Sequence, residues 1–322
     1  MNLTDYKTLF LGYLQEKTAV KEPVNLYEPV SYILKIGGKR LRPLLVLIAA
    51  EAFGKESAVA LDAALSVEVF HNFTLLHDDI MDQAPIRRGQ ETVHEKWNIN
   101  TGILSGDVML INSYQYIESY EPVVFKQLMQ LIGKTAVEVC EGQQYDMDFE
   151  TRSDVSIPEY LKMIEYKTSV LVGAALQMGA IVAGASQSAQ QKIYDFGIGL
   201  GIAFQLQDDY LDTFGDVATF GKQIGGDILE NKKTWLYLKT LEVASTKDAT
   251  QLLEIYSTSE NHVDKVTTVI TMFKQYQIEQ LIKEQIKQYS NKALSLLENL
   301  EIEEVPKNIL RELVISLEKR NQ

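Results

Sequence analysis

The most constraining feature of the sequence is a long stretch without proline. Seven prolines occur in 322 residues, and none lies between Pro158 and Pro306. Because proline is the residue that most strongly breaks helices, this stretch is free to form long ones. Apolar residues recur along it at three- and four-residue spacing, and no alternating strand pattern with hairpin-turn residues competes. The sequence therefore predicts an all-α fold.

Helix-forming patterns cover most of the chain. The segment 57–82 contains no glycine or proline, repeats apolar residues at Leu61, Leu65 and Val69, and opens on Ser57 as a possible N-cap. Further predicted helical segments are 41–53, 107–119, 125–145, 157–185, 188–213, 233–244 and most of 264–297. No linker, low-complexity tract or repeat divides the chain, so we expect one large helical-bundle domain over residues 1–322.

Composition disfavours several classes of function. A formal net charge of −13 argues against a general nucleic-acid binder or a polybasic membrane module, since both need a basic surface. The single cysteine, Cys140, cannot form an intramolecular disulfide and is expected to be a small buried hydrophobe. The first residues acquire charge too early for a signal sequence, and the apolar stretch 171–185 is shorter than a membrane span of about 20 residues. We expect a cytoplasmic protein without a membrane span.

Two aspartate clusters of the form DDxxD give the strongest functional signal. Their aspartates are Asp78, Asp79 and Asp82 in the first cluster and Asp208, Asp209 and Asp212 in the second. Carboxylates four residues apart share a helix face and repel, and near a helix C-terminus the macrodipole adds further negative charge. Mg²⁺ relieves this repulsion, since it binds one or two carboxylates together with phosphate and water. The pair of clusters predicts magnesium around a diphosphate, whereas either cluster alone is more typical of a solvated acidic surface.

Basic residues stand out in this acidic chain because they cluster beside glycine, proline or predicted helix ends. They are Lys39, Arg40 and Arg42 in GGKRLRP, Arg87 and Arg88 in PIRRG, Lys222 in FGKQIGGD, and Lys232 and Lys233 in ENKKTW. Arginine offers a fork of donors that fits phosphate oxygens, and lysine acts as a point charge, so together they can hold a diphosphate without metal. Ordinary surface charge is the alternative for any one pair.

Histidines and one polar pair are weaker candidates. His71 lies seven residues before Asp78 and so points toward the same space on a helix, although a lone histidine is more often structural. His77 and His94 are expected to pack or to form hydrogen bonds, and no cysteine or histidine pair has the spacing of zinc ligands. Lys167 and Thr168 could place two donors in a cavity.

Several segments resemble the trans-isoprenyl diphosphate synthases, the family that contains farnesyl and geranylgeranyl diphosphate synthases. Its two signature regions resemble HNFTLLHDDIMDQAPIRRGQETVH and FQLQDDYLD, and its remaining blocks resemble GGKRLRP, EYKTSVL and GKQIGGDILENKKTWL, in the same order. The resemblance spans roughly residues 37–236. It implies a homodimer of all-α subunits, each enclosing a deep central cavity with about three Mg²⁺ ions at its mouth.

The resemblance also implies roles for individual residues. The expected magnesium ligands are Asp78, Asp82, Asp208, Asp209 and Asp212. The allylic diphosphate is expected to meet Arg87, Lys167, Lys222 and Lys232, with Thr168 and Gln205 lining the site. Isopentenyl diphosphate is expected to meet Lys39, Arg42, His71 and Arg88. The residues expected to act in the reaction are Asp78, Asp79, Asp82, Arg87, Lys167, Asp208 and Asp209. The implied chemistry is ionisation of the allylic C–O bond, attack by the isopentenyl double bond, and loss of a proton to the released diphosphate.

Product length is expected to depend on residues just before the first cluster. In the family, bulky residues there form the floor of the cavity, and this chain has Phe73 and Thr74 five and four positions before Asp78. One aromatic without a second resembles short-chain synthases that make C20 more than C15. An ideal helical wheel instead places Thr74 on the Asp78 face, Phe70 partly toward it and Phe73 aside, so core packing is the alternative for both phenylalanines. The prediction is C15–C20, leaning to geranylgeranyl diphosphate, with farnesyl diphosphate as the alternative.

Three other functions stay open at this point. A class I terpene cyclase shares the fold and the first cluster, but its second metal motif typically carries Asn or Asp, Ser or Thr, and Glu instead of a second DDxxD. A catalytically silent partner subunit does not need the full set of aspartates, arginines and lysines that this chain has. A helical metal-binding or scaffold protein leaves the basic clusters unexplained.

Overall fold

The computed structural model describes residues 1–215, 224–257 and 263–319. These residues are almost entirely helical, which confirms the predicted all-α fold. The helices are α1 (Leu3–Lys17), α2 (Val24–Lys35), α3 (Leu41–Ala52), α4 (Leu61–Met81), α5 (Val93–Lys96), α6 (Ile99–Gln115), α7 (Pro122–Thr151), α8 (Ile157–Ile164), α9 (Val170–Val182), α10 (Gln187–Phe214), α11 (Gly226–Leu229), α12 (Trp235–Val243), α13 (Thr246–Ser257), α14 (Val263–Gln275), α15 (Ile278–Glu298) and α16 (Glu304–Lys319). The strands in the described residues, β1 (Ile86–Arg87) and β2 (Gln90–Glu91), pair antiparallel as a short hairpin that the sequence analysis did not predict.

The chain forms two compact units. The first unit consists of Met1–Lys134, Ala174–Tyr194 and Leu300–Leu310, and the second of Thr135–Gly173, Asp195–Asn299 and Arg311–Gln322. Four of the five boundaries between these segments fall within helices α7, α9, α10 and α16, and the fifth, between Asn299 and Leu300, follows α15. The assignment of residues 1–322 to one domain stays a prediction.

Helix α4 is a core helix of the first unit. Most of its residues are buried, and it packs against α3 and α6. Two glycines bring α6 close to it, because a Cβ at Gly102 would lie 2.8 Å from Ile80 and a Cβ at Gly106 would overlap the His77 ring. These glycines weaken the local helix propensity, and the tertiary contact that favours them is invisible to a local pattern. Helix α6 begins at Ile99, eight residues before the predicted segment, and its N-cap is Asn98, whose side chain accepts the Thr101 N–H at 2.9 Å.

The start of α4 also differs from its prediction. Residues Ser57–Ala60 form a 3₁₀ turn, and the α-helix begins only at Leu61. The predicted N-cap at Ser57 is wrong, because its hydroxyl lies against the Met1 sulfur and makes no capping hydrogen bond. The end of the helix agrees with the sequence, since Asp82 is the C-cap residue. The first aspartate cluster therefore lies at a helix C-terminus.

By length and composition alone, one segment of the described chain could cross a membrane. It is Ser57–Met81, and 61% of the tested stretch is buried inside the protein. A core helix of a globular protein has the same composition when it is apolar on most of its surface. The burial of α4 accounts for this apolar run.

The second unit is built around a large buried cluster that joins several helices. It includes Tyr160 on α8, Leu206 on α10, Trp235 on α12, Phe273 on α14 and Ile282 on α15. Two predicted helices in this unit are interrupted. A π-helical turn, Glu165–Ser169, separates α8 from α9, and Gln277, with a left-handed φ of 55°, separates α14 from α15.

Cys140 lies on α7 and is exposed, so its prediction as a buried hydrophobe is wrong. The side chains of Val137 and Met147 share its helix face and are 57% and 43% exposed. Residue type alone suggested burial, whereas α7 presents part of its apolar surface to the outside of the chain. That face is available to a partner.

Candidate active site

The first aspartate cluster separates into two carboxylates with accessible surface and one buried carboxylate. Asp79 is buried and accepts hydrogen bonds from Arg87 Nε at 2.8 Å, on both of its oxygens, and from Arg87 Nη2 at 2.8 Å. Asp78 is partly exposed, and Asp82, one turn further on, is exposed. Arg87 Nη2 also lies 3.6 Å from Asp78 Oδ2. Asp79 therefore orients Arg87, while Asp78 and Asp82 present the i, i+4 pair that a cation can reach.

The β1–β2 hairpin sends two neighbouring arginines to different partners. Arg88 and Gly89 occupy its turn with φ of 52° and 76°. Arg87 contacts Asp79, whereas Arg88 donates to the carbonyl oxygen of Gly37. The Arg88 guanidinium lies so close to Gly38 that a Cβ there would sit 2.8 Å from its central carbon. The two glycines of GGKRLRP thus position Arg88: Gly37 accepts its hydrogen bond, and Gly38 leaves room for its guanidinium.

A compact group of basic side chains lies in the first unit beside this hairpin. Arg42 Nη1 is 3.1 Å from His71 Nε2, and because arginine can only donate, His71 accepts and its proton is on Nδ1. Desolvation, together with the charges of Arg42 and Arg88, holds the pKa of His71 well below its usual 6.5. Burial, together with Arg88, lowers the pKa of Arg42 to about 10, and burial and neighbouring cations also lower the pKa of Arg88. Crowded, desolvated cations of this kind are stabilised by a bound anion. Lys39, in the same loop as Arg42, is exposed.

Arg40 has a different role from its basic neighbours. It is buried, has a left-handed φ of 54° at the N-cap of α3, and donates to Glu68 and to the carbonyl oxygen of Leu34. The buried Asn72 completes the group by donating to Glu68 Oε1 at 3.0 Å. A buried charge needs a carboxylate and hydrogen-bond acceptors of this kind. Arg40 therefore fastens the GGKRLRP loop to α4 and does not face a substrate.

The second cluster, like the first, consists of one buried carboxylate and two carboxylates with accessible surface. Asp209 is buried and accepts a hydrogen bond from the Tyr160 hydroxyl, while Asp208 and Asp212 are partly exposed. Burial, and then the charge of Asp227, raises the pKa of Asp209 well above its usual range. Burial, and then Asp209, raises the pKa of Tyr160. The second aspartate of each DDxxD motif is thus held by a donor from its own unit.

The chain turns back onto the second cluster through Gly225 and Gly226. Asp212 accepts the backbone N–H of Gly225 on its carbonyl oxygen at 2.6 Å and that of Asp227 on Oδ2 at 3.0 Å. Gly225 has a φ of 79°, and a Cβ there would press on Val266 at 2.5 Å. This turn places Asp227 beside the cluster as a further carboxylate.

The predicted lysines of the second unit have carboxylate or carbonyl partners. Lys167 Nζ lies 2.6 Å from Asp146 Oδ2, and the neighbouring Thr168 donates to Gln205 Oε1 at 3.4 Å. Lys232 Nζ lies 2.7 Å from Glu230 and 3.5 Å from Asp227. Desolvation lowers the pKa of Lys232, but Asp227 and Glu230 outweigh it and raise the pKa overall.

Lys233, a further predicted cation, has a structural role. Lys233 donates to the carbonyl oxygens of Phe149 and Glu150 and so caps the end of α7. Lys222, which the resemblance assigns to the allylic diphosphate, lies outside the described residues.

The carboxylates fit a metal that completes its coordination with phosphate and water. Within residues 1–215, 224–257 and 263–319, no group of three or more His, Cys, Asp or Glu side chains is arranged to hold a metal ion by itself. Mg²⁺ does not require such a cage, since one or two carboxylates together with substrate oxygens and water suffice. The accessible i, i+4 aspartates in each cluster supply that donor set.

Sequence reasoning missed four residues that support the predicted ones: Glu68, Asp146, Tyr160 and Asp227. Asp227 follows the double glycine of GKQIGGD, and that turn signal could have identified it. Glu68 could have been noticed as a charged residue within an apolar helical run. Nothing in the local sequence distinguishes Tyr160 or Asp146 from other tyrosines and aspartates.

The chain is similar in sequence to proteins with named activities. It is 43% identical over 231 residues to the geranylgeranyl diphosphate synthase of Methanosarcina mazei, which covers 71% of each chain. It is 36% identical over 275 residues to the short chain isoprenyl diphosphate synthase of Methanothermobacter thermautotrophicus, covering 85% of this chain and 84% of that one.

Solved structures show the same fold over the whole chain. A crystal structure of a geranylgeranyl pyrophosphate synthase matches with a TM-score of 0.96 at 52% identity and covers 100% of both chains. The heptaprenyl diphosphate synthase of Staphylococcus aureus matches with a TM-score of 0.88 at 26% identity, covering 100% of this chain and 99% of that one. Proteins named for products of different lengths share the fold, so the fold alone does not decide product length.

The polyprenyl synthetase family matches residues 23–273, a range that includes both aspartate clusters and every basic cluster. With relatives above 30% identity over more than two thirds of the chain, the assignment does not depend on the motifs alone. The chain belongs to the polyprenyl synthetase family and is an all-α prenyltransferase.

Proposed function

We propose that this enzyme condenses isopentenyl diphosphate head-to-tail with an allylic diphosphate, with Mg²⁺, to make geranylgeranyl diphosphate. The observation that carries the proposal is that the two clusters divide in the same way, each with an accessible i, i+4 aspartate pair. The first unit also holds the desolvated basic group of Arg42, His71 and Arg88. The names of the relatives support the C20 product. A carboxylate pair suits a metal-bound diphosphate, and crowded cations suit a diphosphate without metal, so both substrates find a partner.

Each site residue has a proposed role. Asp78, Asp82, Asp208 and Asp212 would hold Mg²⁺, and Asp79 and Asp209 would fix the geometry of the two clusters. Arg87, Lys167 and Lys232 would bind the allylic diphosphate, with Lys222 assigned to it by resemblance. Lys39, Arg42, His71 and Arg88 would bind isopentenyl diphosphate. When bound, Mg²⁺ would supply positive charge to the diphosphate that departs.

The protein groups provide donors for charge that develops during the reaction. The allylic C–O bond breaks and its electron pair leaves with the diphosphate, whose growing negative charge Arg87 and Lys167 would stabilise. The isopentenyl double bond then forms the new C–C bond, and a proton leaves the product to the released diphosphate. Because diphosphate is the leaving group and the base, no side-chain nucleophile is needed. Thr168 and Gln205 offer dipoles to the allylic cation.

We also propose a cytoplasmic homodimer. The face of α6 that contains Ile103, Leu104 and Ile111 leaves these side chains 43%, 58% and 55% exposed, and α7 exposes Val137 and Met147. Several exposed apolar side chains on one helix face are typical of protein interfaces. The acidic composition suits a protein that works away from anionic membrane surfaces.

The test is a product assay with purified protein, Mg²⁺, isopentenyl diphosphate and each of the C5, C10 and C15 allylic diphosphates. We expect elongation that stops at C20, seen by chromatography of the dephosphorylated products. A product that stops at C15 would replace the C20 assignment with farnesyl diphosphate. A hydrocarbon formed from the allylic substrate alone would indicate a cyclase, and no product under any condition would indicate a silent subunit; either result contradicts the proposal.

A further inference from the structure

The π-helical turn between α8 and α9 contains two of the predicted substrate contacts of the second unit. It consists of Glu165–Ser169 and includes Lys167 and Thr168. A π-turn closes i→i+5 hydrogen bonds, is less favourable than an α-turn, and occurs frequently at functional sites. Something outside the turn must therefore favour it. Two flanking helices, α7 and α10, provide the contacts.

Helix α7 approaches the π-turn at Gly142. A Cβ at this position would overlap the backbone nitrogen of Lys167 and lie 2.7 Å from its Cα, so any side chain would displace the turn. Four residues later, on the same face of α7, Asp146 Oδ2 lies 2.6 Å from Lys167 Nζ. One helix thus provides both the space for the Lys167 backbone and the partner for its ammonium group.

Helix α10 repeats this arrangement on Thr168 and Ser169. A Cβ at Gly201 would lie 2.7 Å from both Cα and Cβ of Ser169. Four residues later, Gln205 Oε1 accepts the Thr168 hydroxyl at 3.4 Å. Both helices therefore combine a glycine in backbone contact with a polar side chain one turn further on.

We propose that Gly142, Asp146 and Gly201 are positioning residues that hold the π-turn so that Lys167 and Thr168 meet the allylic diphosphate. This inference rests on the proposed function. The two glycines fix the distance of the turn from α7 and α10, and Asp146 fixes the direction of the Lys167 side chain. None of the three needs to touch the substrate.

The test compares Gly142→Ala and Asp146→Asn with a matched control on the same helix. Gly133→Ala is that control, because no atom lies within 4 Å of a Cβ at Gly133. We expect each test variant to raise the KM of the allylic diphosphate about tenfold or more, while the KM of isopentenyl diphosphate changes less than about twofold. Asp146→Glu, which keeps the carboxylate, should recover part of the loss. Gly133→Ala should leave both constants unchanged.

A general loss of structure would affect both substrates, so the split between the two KM values separates positioning from stability. If Gly142→Ala does not fold, as judged by its thermal unfolding, Asp146→Asn decides the question, since it changes no volume. The inference is wrong if Asp146→Asn matches Gly133→Ala, or if it raises both KM values equally. An inactive wild-type protein would instead contradict the proposed function.

Discussion

At the scale of single residues, the second aspartate of each DDxxD motif differs from its neighbours. Asp79 is bonded to Arg87 and Asp209 to Tyr160, and both carboxylates are buried. A carboxylate already engaged in this way is a poor choice for a metal that needs open coordination positions. We therefore assign Asp79 and Asp209 to geometry, although the sequence analysis had placed Asp209 among the magnesium ligands.

A pair of substitutions tests this assignment. Asp82→Asn should raise the Mg²⁺ concentration for half-maximal activity by about tenfold, because it weakens the accessible carboxylate pair. Asp79→Asn should leave that concentration within about twofold and raise the KM of the allylic diphosphate about tenfold, because Arg87 loses a charged partner whose hydrogen bonds are worth about 1.5–3 kcal/mol. Magnesium titrations of initial rates provide the measurement. An equal shift in magnesium requirement for both variants would make Asp79 a ligand.

For these residues, the sequence predicts which aspartates share a helix face but not which side chains they contact. The spacing of Asp78 and Asp82 identifies a pair on one helix face without any structure. It cannot show that Asp79 meets Arg87, because that contact depends on the unpredicted hairpin that follows α4. Arg40 has a structural role and Arg42 a proposed role in binding substrate. The sequence could not separate the two, because the difference depends on the burial of Glu68, which is a tertiary property.

At the scale of elements, α4 brings one group of site residues together. His71, Thr74 and Asp78 succeed one another along it at three- and four-residue spacing. Phe73 packs edge-on against His77, with ring centroids 4.8 Å apart, and lies 5.7 Å from the Phe70 ring. Thr74 turns its hydroxyl to the carbonyl oxygen of His71 at 2.8 Å. The aromatic contacts agree with the core-packing role that the helical wheel indicates for Phe73. Its position five residues before Asp78 is also the one expected of a residue that limits product length.

Product length is therefore tested at Phe73. If its ring stops the growing chain, Phe73→Ala should extend the products beyond C20 by at least one isoprene unit, because it removes bulk about 7–8 Å along the helix from Asp78. Chromatography of the dephosphorylated products measures the change. The matched control is Phe53→Ala, a phenylalanine of similar partial burial at the end of α3. An unchanged product profile in Phe73→Ala would remove this side chain from the control of length.

The observed helix boundaries agree with the predicted ones where local sequence signals determine them. They differ where contacts with other helices determine them. The long helices α4, α7 and α10 are visible from apolar periodicity alone. Helix α6 contains Gly102 and Gly106 where a side chain would meet α4, and the π-turn contacts Gly142 and Gly201. In each case a residue that is neutral or unfavourable locally is favoured by a neighbour distant in sequence.

At the scale of the whole molecule, the exposed apolar face of α6 leads to a prediction about assembly. Leu104→Glu should shift the protein from dimer to monomer at micromolar concentration, because it places a charge at the centre of an apolar interface. Sedimentation velocity measures the change. The matched control is Leu253→Glu on α13, where a leucine is 41% exposed. A wild-type protein that sediments as a monomer would contradict the homodimer, and an unchanged dimer in Leu104→Glu would move the interface away from α6.

The close contacts of Gly142 and Gly201 also bear on how the enzyme can evolve. On the proposal that Phe73 and Thr74 set product length, a change in product requires only a different side-chain size at these positions. Positions 142 and 201 admit no side chain of any size without displacing backbone. Libraries for new chain lengths should therefore diversify α4 and leave these two glycines unchanged, since any side chain at either position would displace the π-turn between α8 and α9.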